Sequence, residues 1–174
     1  AGATGDSIAA QRDDDDALNR RIFEDQVDLV VKAWTQDLLR HESEFFQVPY
    51  PYAEGVRGYP AVDLAAEFGV PGEVGPDGEI RGVAVTPAPF QRPHPPVFIS
   101  SAGSLESVDF AAERGFNIGY FVDIEKLEER AHRYVDLAKK EGREVRLGQG
   151  QANIRWVHFG PDHASFDDQL RRFD

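Results

Sequence analysis

From Val97 onward the chain alternates short apolar runs with amphipathic stretches, and this alternation limits the fold more than any other feature. The runs at 97–100, 117–122 and 152–159 read as strands. Between them, residues 104–114 and a longer charged stretch from Asp123 or Ile124 to Glu141 read as helices, with Gly115 and Gly142 as their stops. Another helix begins within 163–173. Short apolar strands separated by helices imply a parallel sheet covered by those helices, so the expected fold class is α/β. No internal repeat is visible in the sequence.

In parallel α/β folds, ligands bind at the carboxyl ends of the strands. That rule selects Ser100, Ser101, Gly103 and Ser104 after the first strand. It selects Tyr120, Phe121 and Asp123 after the second, and His158, Phe159 and Gly160 after the third. The first group is the most informative. Pro93-His94-Pro95-Pro96 leads stiffly into Val97-Phe98-Ile99-Ser100, and Ser101-Ala102-Gly103-Ser104-Leu105-Glu106-Ser107 then opens a helix. Small hydroxyl residues at a helix start offer backbone N–H groups and hydroxyls to an anion, and the helix dipole favours negative charge there. Phosphate is the ligand to expect. The plainer reading is an ordinary βα turn with serine as N-cap.

Other chemistries lack their motifs. No Gly-x-Gly-x-x-Gly fingerprint follows a strand, no Walker A lysine motif occurs, and no Gly-x-Ser-x-Gly elbow is present. His41, His94, His132, His158 and His163 show no metalloprotease spacing, and each reads as structural or exposed. The acidic run from Asp13 to Asp16 reads as a solvated helix start, where carboxylates favour the positive end of the dipole. No metal site is expected.

Upstream, a helix is expected over 18–40, with Phe23, Val27, Val30, Trp34 and Leu38 forming one apolar stripe. Asp25, Asp28, Lys32 and Gln36 lie largely off that stripe, and Trp34 reads as a core anchor. Residues 41–96 form a segment rich in Pro, Gly and aromatics, read as a functional insertion rather than a connector. Within it, Phe45-Phe46-Gln47-Val48-Pro49-Tyr50-Pro51-Tyr52 reads as extended, and a helix-like stretch lies near 60–68. Gly75-Pro76-Asp77-Gly78 reads as a turn, because proline fixes φ and glycine accepts positive φ. Glu73-Val74 and residues 80–85 flank it as a short hairpin.

At 174 residues the chain is long enough for one domain with a real core, so residues 1–174 are read as a single partial domain whose repeating units occupy 97–174. The net charge of -12 argues against nucleic acid and against anionic lipid. No apolar run is long enough to span a membrane, and no secretory signal precedes the first helix, so a cytoplasmic location is expected. Cysteine is absent, which excludes disulfides, thiolate zinc sites and cysteine nucleophiles. Methionine is absent even at the start, which points to processing or to a piece of a longer protein.

Four stretches, in order, resemble the luciferase-like monooxygenase superfamily of flavin- or deazaflavin-dependent barrels. Arg21-Ile22-Phe23-Glu24-Asp25-Gln26, running on to Lys32-Ala33-Trp34-Thr35, resembles the helix after the family's fourth strand. His41-Glu42-Ser43-Glu44-Phe45-Phe46-Gln47-Val48-Pro49 is similar to the opening of its long insertion, with Ser43 in place of the usual glycine. The proline-rich run from Thr86 to Val97 is similar to the lead into its fifth strand, and Ser101 to Ser107 with Phe110-Ala111-Ala112 is similar to the loop and helix that follow.

The resemblance implies part of a TIM (β/α)8-type barrel with a long Pro/Gly-rich insertion, from after the fourth strand through the seventh. It implies a monooxygenase using reduced FMN and O2 to oxidise a small organic substrate. An F420-dependent reductase or dehydrogenase on the same barrel is the alternative. A third reading is a non-catalytic α/β module that binds a phosphorylated ligand or a partner chain. The cofactor phosphate is expected at Ser101, Gly103 and Ser104, with Ser107 next along the helix and Thr4 as a further flavin contact. Tyr50, Tyr52, Tyr59 and Phe90 are candidate pocket or lid residues. A complete barrel needs eight strands and roughly 250 residues. The remainder is therefore expected from the same polypeptide or from another chain, and a homo-oligomer is compatible with the family. The polar catalytic groups belong mostly to the barrel's first half, so no catalytic acid or base is nominated.

Overall fold

The structure, a computed structural model, describes residues 16–155, 159–162, 165–167 and 171. The chain divides into two compact units, Ala1–Pro95 and Pro96–Asp174, one residue from the point where the proline-rich segment gives way to the repeating βα pattern.

The first unit begins with helix α1, Asp16–Thr35. Its rotation differs from the one the apolar stripe implies. Asn19 and Ile22 are its buried residues, whereas Phe23 and Val30 are 36% and 40% exposed. The cause is polar. Asp25 and Lys32, two turns apart on one face, both meet the buried imidazole of His41. His41 Nδ1 lies 3.0 Å from Lys32 Nζ. His41 Nε2 lies 2.9 Å from Asp25 Oδ1, an ion-pair distance outside hydrogen-bond geometry. This cluster turns the charged face inward. The helix ends before Leu39, whose backbone instead pairs with Val83.

His41–Glu42 and Gln47–Val48 form a small antiparallel pair, β1 and β2, in the register His41↔Val48. Ser43 closes the turn between them. Its hydroxyl accepts from the N–H groups of Phe45 and Phe46, at 3.1 and 2.9 Å, and donates to Asp25 Oδ2 at 2.5 Å. A glycine at this position would supply none of these bonds.

Helix α2, Val62–Phe68, falls where the helix-like stretch is expected. The turn at Gly75-Pro76-Asp77-Gly78 also forms. Gly75 N–H donates to Glu79 O at 2.8 Å, and Gly78 takes φ +75°. The flanking residues make single bridges, Val74↔Ile80 and Val56↔Ile80, rather than a regular hairpin. The buried Glu79 carboxylate organises this corner. It accepts from Asp77 N–H at 3.0 Å and from Arg81 Nε at 2.6 Å. Backbone bonds from Gly75 N–H to Glu79 O and from Arg81 N–H to Glu73 O, at 2.8 and 2.7 Å, flank the Val74↔Ile80 bridge.

The second unit is the βα series. Strand β3 is Phe98–Ser101, helix α3 is Leu105–Arg114, β4 is Asn117–Tyr120, α4 is Ile124–Lys140 and β5 is Gln151–Asn153. Among the described residues, the three strands form one parallel sheet in the order β3-β4-β5. The register aligns Ser101 with Tyr120, and Tyr120 with Asn153, so their carboxyl ends make one rim. Ile99, Ser101, Ile118 and Tyr120 are buried, while Phe98 is 67% exposed on the opposite face. Val108, Phe110, Ala111, Ala112, Tyr134 and Ala138 complete the core from α3 and α4.

The helix limits follow the sequence closely. Ser104 caps α3, and Gly115 ends it in the left-handed region at φ +74°. Asp109 and Arg133 tie α3 to α4 through paired contacts of 2.5 and 2.6 Å. β4 is shorter than expected, ending at Tyr120. β3 is displaced by one residue, which makes Ser101 a strand residue rather than a loop residue. The third expected strand is described only as Gln151–Asn153, and Trp156 to His158 lie outside the described residues. No described helix is long and apolar enough to cross a membrane.

Candidate functional site

The carboxyl rim of β3 carries the candidate site. Here the strand runs out through Ser101, Ala102 and Gly103 into the first turn of α3. The first amides of a helix have no partner within it, and they point at whatever lies beyond the N-terminus. Ser104 meets part of that need. Its hydroxyl accepts from Ser107 N–H at 3.2 Å, lies 3.2 Å from the Ser107 hydroxyl, and donates to Glu106 Oε2 at 3.0 Å.

The three described residues expected to hold phosphate have different environments. Ser101 is 1% exposed and its hydroxyl donates to Ser104 O at 2.9 Å, so it braces the loop from within. Gly103 is exposed, and a Cβ built on it would meet no atom within 4 Å, so a ligand can approach the backbone closely there. Ser104 is half-buried at the N-cap. Ser107 is buried beneath it. Thr4, His158 and His163 lie outside the described residues.

Sequence reasoning missed Arg130. It is 9% exposed, and its NH1 donates to Gly103 O at 2.9 Å. Its Nε has no hydrogen-bond partner, and no carboxylate among the described residues pairs with it. A readable signal existed. Arg130, Tyr134 and Ala138 recur every four residues and form the buried line of α4, so an arginine stands where an apolar residue is the usual choice. Next to it, Tyr120 donates to Gln151 Oε1 at 2.8 Å. Burial raises the Tyr120 phenol well above its ordinary range, and nearby Tyr134 raises it further, against the pull of Arg130.

The electrostatics of the rim are mixed. The α3 dipole and Arg130 are positive, and the Glu106 carboxylate is negative. The arrangement suits an anion with several acceptor oxygens and room to approach the Gly103 backbone.

The other expected positions lie apart in character. Phe121 is 43% exposed, and Asp123 sits at the N-cap of α4 without a side-chain cap bond. In the first unit, Tyr50, Tyr59 and Phe90 are exposed, and the half-buried Tyr52 ring lies 4.6 Å from the Arg40 guanidinium carbon. Trp34 is half-buried and stacks with His94 at 6.2 Å, while His94 Nδ1 lies 2.7 Å from Pro95 O. Among the described residues, no group of three or more His, Asp or Glu could hold a metal ion.

No protein-family model matches the chain, and no curated protein does. Among solved structures it is similar to the monooxygenase RslO1 from Streptomyces bottropensis, with a TM-score of 0.63 and 16% identity. The likeness covers 99% of this chain and 43% of that one. At this identity the likeness is one of fold: an α/β arrangement shared with part of a larger monooxygenase.

Proposed function

We propose that this chain forms part of a flavin-dependent monooxygenase, with FMN as cofactor and a small organic substrate. The observation that carries the reading is the loop at the end of β3, where Gly103 and the Ser104-capped start of α3 are backed by Arg130. The fold likeness to part of a monooxygenase supports the reading from a separate direction.

When bound, reduced FMN supplies the electrons that activate O2, with one oxygen atom passing to substrate and the other leaving as water. The chain's own residues bind and orient. Ser104 and the first amides of α3 receive the phosphate, Gly103 admits it to the backbone, and Ser101 keeps the loop in shape from below. The exposed Phe98 supports further protein covering the second sheet face, because parallel sheets bury both faces.

The test is the absorption spectrum of the native protein as purified, followed by FMN titration and oxygen uptake with reduced FMN. A visible flavin band, or saturable FMN binding, together with substrate-dependent oxygen uptake is expected. A native protein that neither carries nor binds flavin overturns the proposal.

A further inference from the structure

We infer that Arg130 is the buried positioning cation of this anion site, and that its charge makes the loop select a phosphorylated ligand over the same ligand without phosphate. The inference rests on the flavin reading above and names a residue that the loop sequence alone does not contain.

A guanidinium removed from water is costly unless it is paired. Arg130 is only 9% exposed, yet its described side-chain contacts are one hydrogen bond from NH1 to Gly103 O. Its Nε donor is unsatisfied, and no described carboxylate neutralises it. The neighbouring groups that could share its charge are the phenols of Tyr120 and Tyr134. Burial raises both phenols, so they remain protonated and neutral. Among the described residues its charge is unbalanced, and an anion bound at the loop would supply the counter-charge. The bond to Gly103 O places the cation directly behind the loop where the α3 dipole also favours negative charge.

A trans peptide points its C=O and its N–H in opposite directions. Arg130 draws the Gly103 carbonyl towards itself, so the N–H of the same peptide, which belongs to Ser104, is turned to the other side of the loop. One side chain thus supplies charge and sets the orientation of the backbone that receives the ligand.

The experiment compares FMN with riboflavin, which lacks only the phosphate, on the full chain and on Arg130→Gln and Arg130→Lys. Expected are tighter binding of FMN than of riboflavin by wild type, and a roughly tenfold loss of FMN affinity in R130Q with riboflavin unchanged. R130K, which keeps the charge, recovers part of the FMN preference. A purely structural role would weaken both ligands equally, and that result overturns the inference. If R130Q does not fold, the wild-type Arg130 Nε–H resonance decides. A shift on adding inorganic phosphate is expected, and an unmoved resonance at saturating FMN overturns the inference. Binding of FMN with no preference over riboflavin overturns this inference and leaves the flavin reading standing. A protein that binds neither FMN nor inorganic phosphate overturns both.

Discussion

The Ser104 hydroxyl donates to the Glu106 carboxylate at 3.0 Å while accepting from Ser107 N–H at 3.2 Å. One small side chain is shared between capping the helix and holding a negative charge at the mouth of the proposed anion site. A phosphate arriving at the start of α3 meets that carboxylate as a competitor for the same hydroxyl and the same dipole.

Replacing Glu106 with glutamine removes the competing charge and keeps the size of the side chain. FMN affinity is expected to rise about two- to fivefold, the range set by one charge at a helix N-terminus. Riboflavin affinity is expected to stay the same. Equilibrium titration of both ligands checks this, and a drop in FMN affinity would show that Glu106 helps the ligand rather than opposing it.

Glu79 couples the first unit to pH. Its own backbone N–H, together with Arg81 and the Asp77 N–H, holds the carboxyl below the usual range, against the opposing effect of burial. A carboxyl with a depressed folded pKa stabilises the fold above its unfolded value of roughly 4.3, and that contribution disappears as pH falls through the folded value. Melting temperature is therefore expected to fall as pH drops below the ordinary carboxylate range. In Glu79→Gln it should already be lower at pH 7 and should depend less on acid. Thermal melts of both proteins between neutral and strongly acidic pH check it.

Asp25 serves two partners, accepting from the Ser43 hydroxyl and facing His41 Nε2. Asp25→Ala removes the carboxylate that accepts from the Ser43 hydroxyl and that faces the buried His41 ring beside Lys32. A loss of about 1–3 kcal/mol is expected. Asp37→Ala, at an exposed position just beyond α1, is expected to stay within about 0.5 kcal/mol. Denaturant unfolding of the two variants compares them directly.

Gly115 ends α3 at φ +74°, where a Cβ would lie 3.0 Å from Arg143 NH1. Gly115→Ala pays the left-handed conformational penalty and also presses on the arginine that binds the Ala112 carbonyl. The expected destabilisation is about 1–2 kcal/mol, read from the same denaturant curves.

Much of the second unit is legible in the sequence. The stops at Gly115 and Gly142, the serine cap and the parallel order follow from local turn chemistry and from the spacing of apolar residues. The first unit was less legible. Periodicity along α1 pointed to Phe23 and Val30 as inward, yet both are partly exposed, because Asp25 and Lys32 turn towards His41. Hydrophobic periodicity measures the tendency of side chains to leave water. It carries no information about a buried histidine, distant in sequence, that needs charged partners.

The same division runs through the candidate site. Sequence by itself determined that small hydroxyl residues follow a strand and open a helix, since capping and strand length are short-range effects within a few residues of Ser104. Only the tertiary structure decided that Ser101 turns inward to brace the loop and that Arg130, 27 residues beyond Gly103, lies behind it. Strand register and helix docking bring those groups together, and both depend on the packing of Ile99, Val108, Ile118 and Tyr134 in the shared core rather than on any local pattern.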